Sequence, residues 1–382
     1  MKRALIAILV SFALVGALPL FAGGGKETAP APKPADTAKP ADTTVKPADT
    51  AAKPATAGEA NYVVDAKKWK KAGPYTVALC NISVVNSWRV VMVEEFKYAA
   101  SKYADVKDVI VTDANNQVAK QIADMEDLIT KKVDLIVITA QPTALIPAVE
   151  KAVAAGIPVV SFDSVVDSPA VTVKNIADQN EIGSELAKFI VKELGGKGKV
   201  AMLTGIAGTT PGQMRYESAL AVFKANPGIS VVGQVWTNSA YDQAKRAAEN
   251  FLSANPDLNA IYADGGPSGY GALQAVYEAN KPNIVVVGTG SNGHFKLWKQ
   301  WVDKGVAFKS FAIQDPPGDS AAALALGMKL LHGEPVNHIE KMKLWTCSLA
   351  ELNSVVRTDL SDDYINSTFL PEDMKIKLWG KK

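Results

Sequence analysis

The chain has 382 residues, of which 48% are hydrophobic and 21% charged, a globular composition long enough for two domains at ~150 residues each. Lys and Arg total 41 against 39 Asp and Glu, so the formal charge is +2 and no basic stripe recommends nucleic acid as a partner. Two cysteines, Cys80 and Cys347, match no metal, haem or redox spacing, and three histidines, His294, His332 and His338, are too few for a His-based metal site; a disulfide scaffold, a metal and a cofactor are not expected.

Lys2 and Arg3 precede an apolar run at 4–22, with Leu20-Phe21-Ala22 before three glycines as a cleavage site. This is the pattern of an export signal, and it places the protein in the periplasm or cell envelope. The run is also close to the ~20 residues that span a bilayer, so an uncleaved signal would act as a membrane anchor. Residues 23–72 read as a linker, in which KPADT recurs at Lys33, Lys39 and Lys46. Its prolines block helix and sheet hydrogen bonds and favour an extended chain, serving as a spacer for a tethered protein or as a solubilising tail.

From Gly73 onward, short apolar runs alternate with amphipathic stretches. Strands are predicted at 75–79, 109–112, 135–139 and 158–162, with helices at 90–103, 119–131 and 144–154. A second series follows, with strands at 199–204, 230–235, 260–263 and 284–288 and helices at 182–194, 214–225, 240–252 and 269–279. Near-continuous Val/Ile strands separated by helices imply parallel sheets covered on both faces, here as two doubly wound α/β lobes.

In such sheets a ligand lies beyond the carboxyl ends of the strands. The segments there are 81–89, Asp163-Ser164, 205–215, 236–241, Asp264-Gly265 and 289–292. They are rich in Asp, Asn, Arg, Trp and Tyr and poor in groups suited to acid/base or nucleophilic work. That inventory suits a sugar, whose hydroxyls take planar polar partners and whose apolar ring face stacks on an aromatic. Gly288-Thr289-Gly290-Ser291-Asn292-Gly293 formally matches a dinucleotide fingerprint, but it falls late in the chain and at the first strand turn of neither lobe. No catalytic set is visible, and the chain is not expected to be an enzyme.

Asn86-Ser87-Trp88-Arg89 after the first strand, Pro158 through Asp163 at the fourth, Gly205-Ile206-Ala207-Gly208-Thr209 with Arg215 beyond it, and Gln314 together resemble the ribose-binding type of periplasmic sugar-binding protein, the type I solute-binding fold of ABC importers. The resemblance covers about residues 73–345. It implies two Rossmann-like lobes joined by a three-segment hinge, with crossovers near Asn175, Gln314 and Trp345. The N-terminal lobe would comprise 73–175 and 315–344, and the C-terminal lobe 176–314 with the tail 345–382. It further implies a monosaccharide clamped between closing lobes, a membrane permease as partner, and a monomer.

Carried over by position, Trp88 stacks on the sugar and Asn86 and Arg89 bond its hydroxyls. Asp163 takes two hydroxyls, Arg215 supplies a guanidinium, Tyr241 an aromatic wall and Gln314 an amide at the hinge. Asn81, in the segment that follows the first strand, joins this set. The chain departs from the pattern at Asp264, where Asn is usual, and at Gly290, whose nearest polar replacement is Asn292; Ser164 stands where ribose binders have Arg. The sugar is therefore not assigned as ribose. A polyol or nucleoside, or a sensor module with the same fold, stays open. Local readings also stand beside these: Trp88 as a packing residue, Asp163 as a helix cap, Arg215 paired with Glu217 or Glu185. Cys80 reads as a buried strand residue, and His332 and His338 as surface loop.

Overall fold

The computed structural model describes residues 59–140, 143–265 and 267–381. The expected export signal and the KPADT repeats lie outside the described residues. Among the described residues, no helix is long and apolar enough to cross a membrane.

Two six-stranded sheets organise the chain. The first has the order β11-β5-β4-β3-β1-β2, built from β1 (Tyr75–Asn81), β2 (Val106–Asp113), β3 (Leu135–Thr139), β4 (Val159–Phe162), β5 (Val173–Ile176) and β11 (Ile339–Lys341). The second has the order β12-β10-β9-β8-β6-β7, built from β6 (Gly198–Thr204), β7 (Ile229–Trp236), β8 (Ala260–Ala263), β9 (Val285–Gly288), β10 (Ser310–Gln314) and β12 (Trp345–Cys347). All pairings within the sheets are parallel except β10 with β12. The chain passes between sheets after β5, after β10 and after β11.

Alternation along the central strands sends side chains into two cores per sheet. From β1, Val77 and Leu79 pack with α1 (Ser87–Ala100) and α9 (Asp319–His332), while Ala78 and Cys80 pack with α2 (Val118–Thr130) and α3 (Ile146–Ala154). From β6, Val200 and Met202 meet α4 (Gln179–Glu193) and α5 (Thr210–Lys224). Ala201 and Leu203 of the same strand meet α6 (Tyr241–Ala254), α7 (Ser268–Glu278) and α8 (Asn292–Asp303). Cys80 is buried in its strand, as its sequence context implied.

Three helices begin three or four residues earlier than hydrophobic periodicity places them. Their first turns are polar: Asn86 accepts from the Arg89 N–H at the start of α1, Asp178 from Asn180 and Glu181 before α4, and Thr209 from Gly212 before α5. A cap fixes the helix start without any apolar signal. The strand β5 escapes the pattern for a related reason. Its Lys174 and Asn175 are buried, yet Lys174 pairs with Glu59 and Asn175 donates to the Asp319 carbonyl. His338, expected on the surface, is fully buried, with Nε2 2.8 Å from Glu59, Nδ1 3.1 Å from the Thr172 carbonyl and its ring stacked on Tyr62.

The tail also departs from expectation. Expected to accompany the second lobe, it packs on both. Leu352 of α10 (Leu352–Val355) joins the core beneath α8. Leu360, Tyr364, Ile365, Leu370 and Trp379, the last in α11 (Glu372–Trp379), close over Val91 of α1.

Gly183 on α4 sits where a Cβ would collide with the Arg215 carbonyl and the Ser218 hydroxyl of α5. Gly183→Ala must push these helices apart, and overpacking of this kind costs about 1–3 kcal/mol. A denaturant titration of the variant is expected to show that loss.

Candidate ligand-binding cleft

Between the sheets, at the carboxyl ends of β4, β6, β8, β9 and β10, lies a polar cleft. Asn86, Trp88, Arg89, Asp163, Arg215, Asp264 and Gln314 all line it. Ser164, Thr209, Ser239 and Thr289 add hydroxyls, and Asp315 adds a carboxylate that the sequence reading missed.

The N-terminal wall is a charge pair. Arg89 Nη2 donates to Asp163 Oδ2 at 3.0 Å, and the Thr139 hydroxyl donates to the same oxygen at 3.1 Å. Asp163 has φ 53°, a left-handed conformation that Asp tolerates better than most residues. Burial pushes its carboxyl up, against the pull of Arg89 and with a further push from Asp315. Trp88 lies beside this pair, with the Arg89 guanidinium 5.8 Å from its ring centre. Its indole N–H donates to the Asp315 carbonyl at 2.9 Å.

The opposite wall is built on Arg215. Its Nη2 donates to Asp315 Oδ1 at 2.9 Å and its Nε to Gln179 Oε1 at 2.7 Å, while Gln179 Nε2 donates to Asp315 Oδ2 at 3.1 Å. The three side chains close a hydrogen-bonded ring, and all are buried. Arg215 therefore pairs neither with Glu217 nor with Glu185. Asp264, fully buried, accepts from the Tyr262 hydroxyl at 3.0 Å. Burial pushes its carboxyl up to about 6, against Arg215 and the Tyr262 hydrogen bond.

Three buried polar atoms of lining residues lack a hydrogen-bond partner: Arg89 Nη1, Gln314 Nε2 and Asp264 Oδ1. Two are donors and one is an acceptor, and they come from the first lobe, the crossover and the second lobe. An unmade bond at a buried polar group costs about 1–3 kcal/mol, which a bound hydroxyl would recover. Among the described residues, those lining the cleft include no His, Cys or Lys.

The remaining expected site residues lie elsewhere. Asn81 folds back on its own loop, donating to the Ser83 carbonyl at 2.7 Å and accepting from Ser83 N at 3.4 Å. Tyr241 packs on Tyr270, ring centres 4.7 Å apart, and does not line the cleft. Asn292 turns to the tail: its Nδ2 reaches the carbonyls of Arg357 at 2.7 Å and Ser361 at 2.9 Å, and its Oδ1 accepts from Arg357 N at 2.9 Å. A polar residue after a strand marks the cleft end of the sheet; the direction of its side chain depends on what packs above it.

A family model described as a periplasmic binding protein domain matches residues 77–335. The chain belongs to this family. Among its relatives, the ribose import binding protein RbsB of Haemophilus influenzae is 32% identical over 270 residues, 68% of this chain and 87% of that protein. An ABC transporter periplasmic solute-binding protein from Actinobacillus succinogenes, solved with bound D-allose, is 27% identical with a TM-score of 0.65, covering 73% of this chain and 99% of that one. The fructose-binding periplasmic domain of a hybrid two-component system is 26% identical with a TM-score of 0.64, covering 73% and 92%. As in the other periplasmic binding proteins, two α/β lobes with parallel sheets frame the cleft.

The raised carboxyl of Asp264 makes a linkage prediction for the unliganded protein. Folded Asp264 keeps its proton up to about pH 6, whereas the unfolded side chain releases it near 3.8. Its contribution to stability is thus fully present below the unfolded value and is lost as pH rises through about 6, by roughly 3 kcal/mol at most for a two-unit shift. Asp264→Asn lacks this loss. The difference in unfolding free energy, variant minus parent, is expected to grow in the variant's favour between pH 4 and 7 when both are titrated with urea.

Proposed function

We propose that this protein is an extracytoplasmic solute-binding protein that captures a monosaccharide between its two lobes and delivers it to an ABC transporter permease. The observation that carries the sugar reading is that three residues lining one cleft each keep a buried polar atom without a hydrogen-bond partner, Arg89 Nη1, Gln314 Nε2 and Asp264 Oδ1. A hydroxyl both donates and accepts, and a sugar offers several at fixed spacing, so one ring can meet two donors and an acceptor together. Trp88 beside them offers an aromatic face for the apolar side of the ring. The named relatives, a ribose import binding protein and a solute-binding protein solved with bound D-allose, support the same class.

Binding without turnover is the consistent chemistry. The carboxylates of the cleft are engaged: Asp163 by Arg89 and Thr139, Asp315 by Arg215 and Gln179, Asp264 by Tyr262. Selectivity then follows from which of the unpaired groups a wrong epimer leaves bare. Closure of the lobes over the sugar would present one composite surface to the permease. A periplasmic location follows from family membership, and the apolar run at 4–22 supplies the export signal. The two-component relative favours a second reading, in which the occupied protein reports to a sensor; a permease-free membrane partner would distinguish it.

The test is a thermal-shift screen of the full chain against D-ribose, D-allose, D-fructose, xylitol and nucleosides. A ligand at 100 times its Kd stabilises the folded state by ~2.7 kcal/mol. A shift with one sugar and not its epimers is expected; silence from every sugar, or a shift from a nucleoside alone, removes the sugar reading. Asp163→Ala is expected to weaken the responding sugar at least about tenfold by calorimetry, since it strips Arg89 of its buried partner.

A further inference from the structure

No described residue after Asp315 lines the cleft, yet the chain from Ser348 to Lys381 grips both walls of it. On the second lobe the grip is at the start of α8. Asn292 N donates to the Tyr364 carbonyl at 2.9 Å and Gly293 N to the Asp362 carbonyl at 2.8 Å. The Asn292 side chain holds the backbone of Arg357 and Ser361, while Asp362 takes Lys296 at 2.7 Å and the Tyr270 hydroxyl at 2.9 Å. The start of α8 follows Thr289, a lining residue, so this anchor stands beside the cleft.

On the first lobe the grip is on α1, the helix that carries Trp88 and Arg89. Glu95 is fully buried. Its Oε1 accepts from Phe369 N at 2.9 Å and from the Thr368 hydroxyl, and its Oε2 has no partner. The Phe369 ring lies 6.4 Å from that of Tyr98, and it fills the space where a Cβ on Gly318, in the second crossover, would stand. Leu360, Tyr364, Ile365, Leu370 and Trp379 seal over Val91. The segment is thus fastened to one lobe at Asn292 and to the other at Glu95, with its own small core between, and it lies against the hinge.

We propose that residues 348–381 are a strap that holds the two lobes at their present separation, with Asn292 and Glu95 as its positioning residues, one on each lobe. The strap adds a fourth link to the three crossovers: it continues covalently from β12 of the second lobe, where Asn292 holds it in place, and its attachment to the first lobe is non-covalent and can release. Its effect on sugar affinity rests on the reading of the cleft as one that opens and closes on a sugar; its effect on lobe separation does not. An intact strap limits opening of the empty protein, so a smaller share of the binding free energy goes into bringing the walls together.

The experiment measures lobe separation directly. Spin labels at Lys107→Cys and Arg246→Cys, both exposed and one on each lobe, report a distance by pulsed electron resonance in the full chain; Cys80 and Cys347 are buried. In the empty protein, Asn292→Ala and Glu95→Ala are each expected to lengthen or broaden that distance, and Glu95→Gln, which keeps the acceptor, to retain it. If Asn292→Ala does not fold, Asp362→Ala with Thr368→Ala loosens both ends more mildly. D-Ribose and D-allose are then titrated, with about fivefold weaker binding expected in the released variants, through faster dissociation. An unchanged distance distribution in the released variants overturns the strap, whatever the sugars do. A longer distance with no response to either sugar in any form sustains the strap and counts against those sugars as ligands.

Discussion

A buried guanidinium needs a counter-charge, and Arg215 finds its own in a residue of the connection between lobes. Asp315 follows the last residue of β10, and its carboxylate is shared between Arg215 of α5 and Gln179 of α4. Its backbone carbonyl meanwhile takes the indole N–H of Trp88 from the other lobe. One residue of the hinge therefore positions a side chain on each wall of the cleft. Removing either member of such a pair leaves the other charged and dry, at about 3–5 kcal/mol. The close approach of α4 and α5 at Gly183 is part of the same arrangement, because it sets where Arg215 can stand.

Around that fixed ring, the cleft separates groups that are satisfied from groups that are not. Arg89 gives one nitrogen to Asp163 and keeps another unpaired; Asp264 gives one oxygen to Tyr262 and keeps the other. Each side chain is oriented by its internal bond and keeps a second polar atom buried and unpaired. This division holds geometry without a ligand present.

Much of this was legible in the sequence. Buried β strands such as 135–139 and 260–263 announce themselves because parallel central strands are apolar on both faces. Trp88, Arg89, Asp163, Arg215 and Asp264 were visible because they follow strands in a fold that puts ligands there. Asp315 was missed although it adjoins Gln314: an acid before Pro316-Pro317 reads as a turn, and its role depends on Gln179 and Arg215, distant in sequence. Asn292 and Tyr241 misled for the converse reason. Both stand at the correct end of the sheet, but the tail claims Asn292 and Tyr270 claims Tyr241. The strand at β5 was hidden because its buried Lys174 is neutralised by Glu59, 115 positions away.

The interleaved route of the chain also has a kinetic consequence. The first sheet takes its edge strand β11, and one of its cores takes α9, from residues that follow five strands of the second sheet. Neither lobe can be completed as the ribosome releases it, and both wait for the last seventy or so residues. Contacts of such long sequence separation form slowly, because loop closure precedes any gain from pairing. Any step that requires an unfolded chain is favoured by this order of assembly, without help from any single destabilised residue.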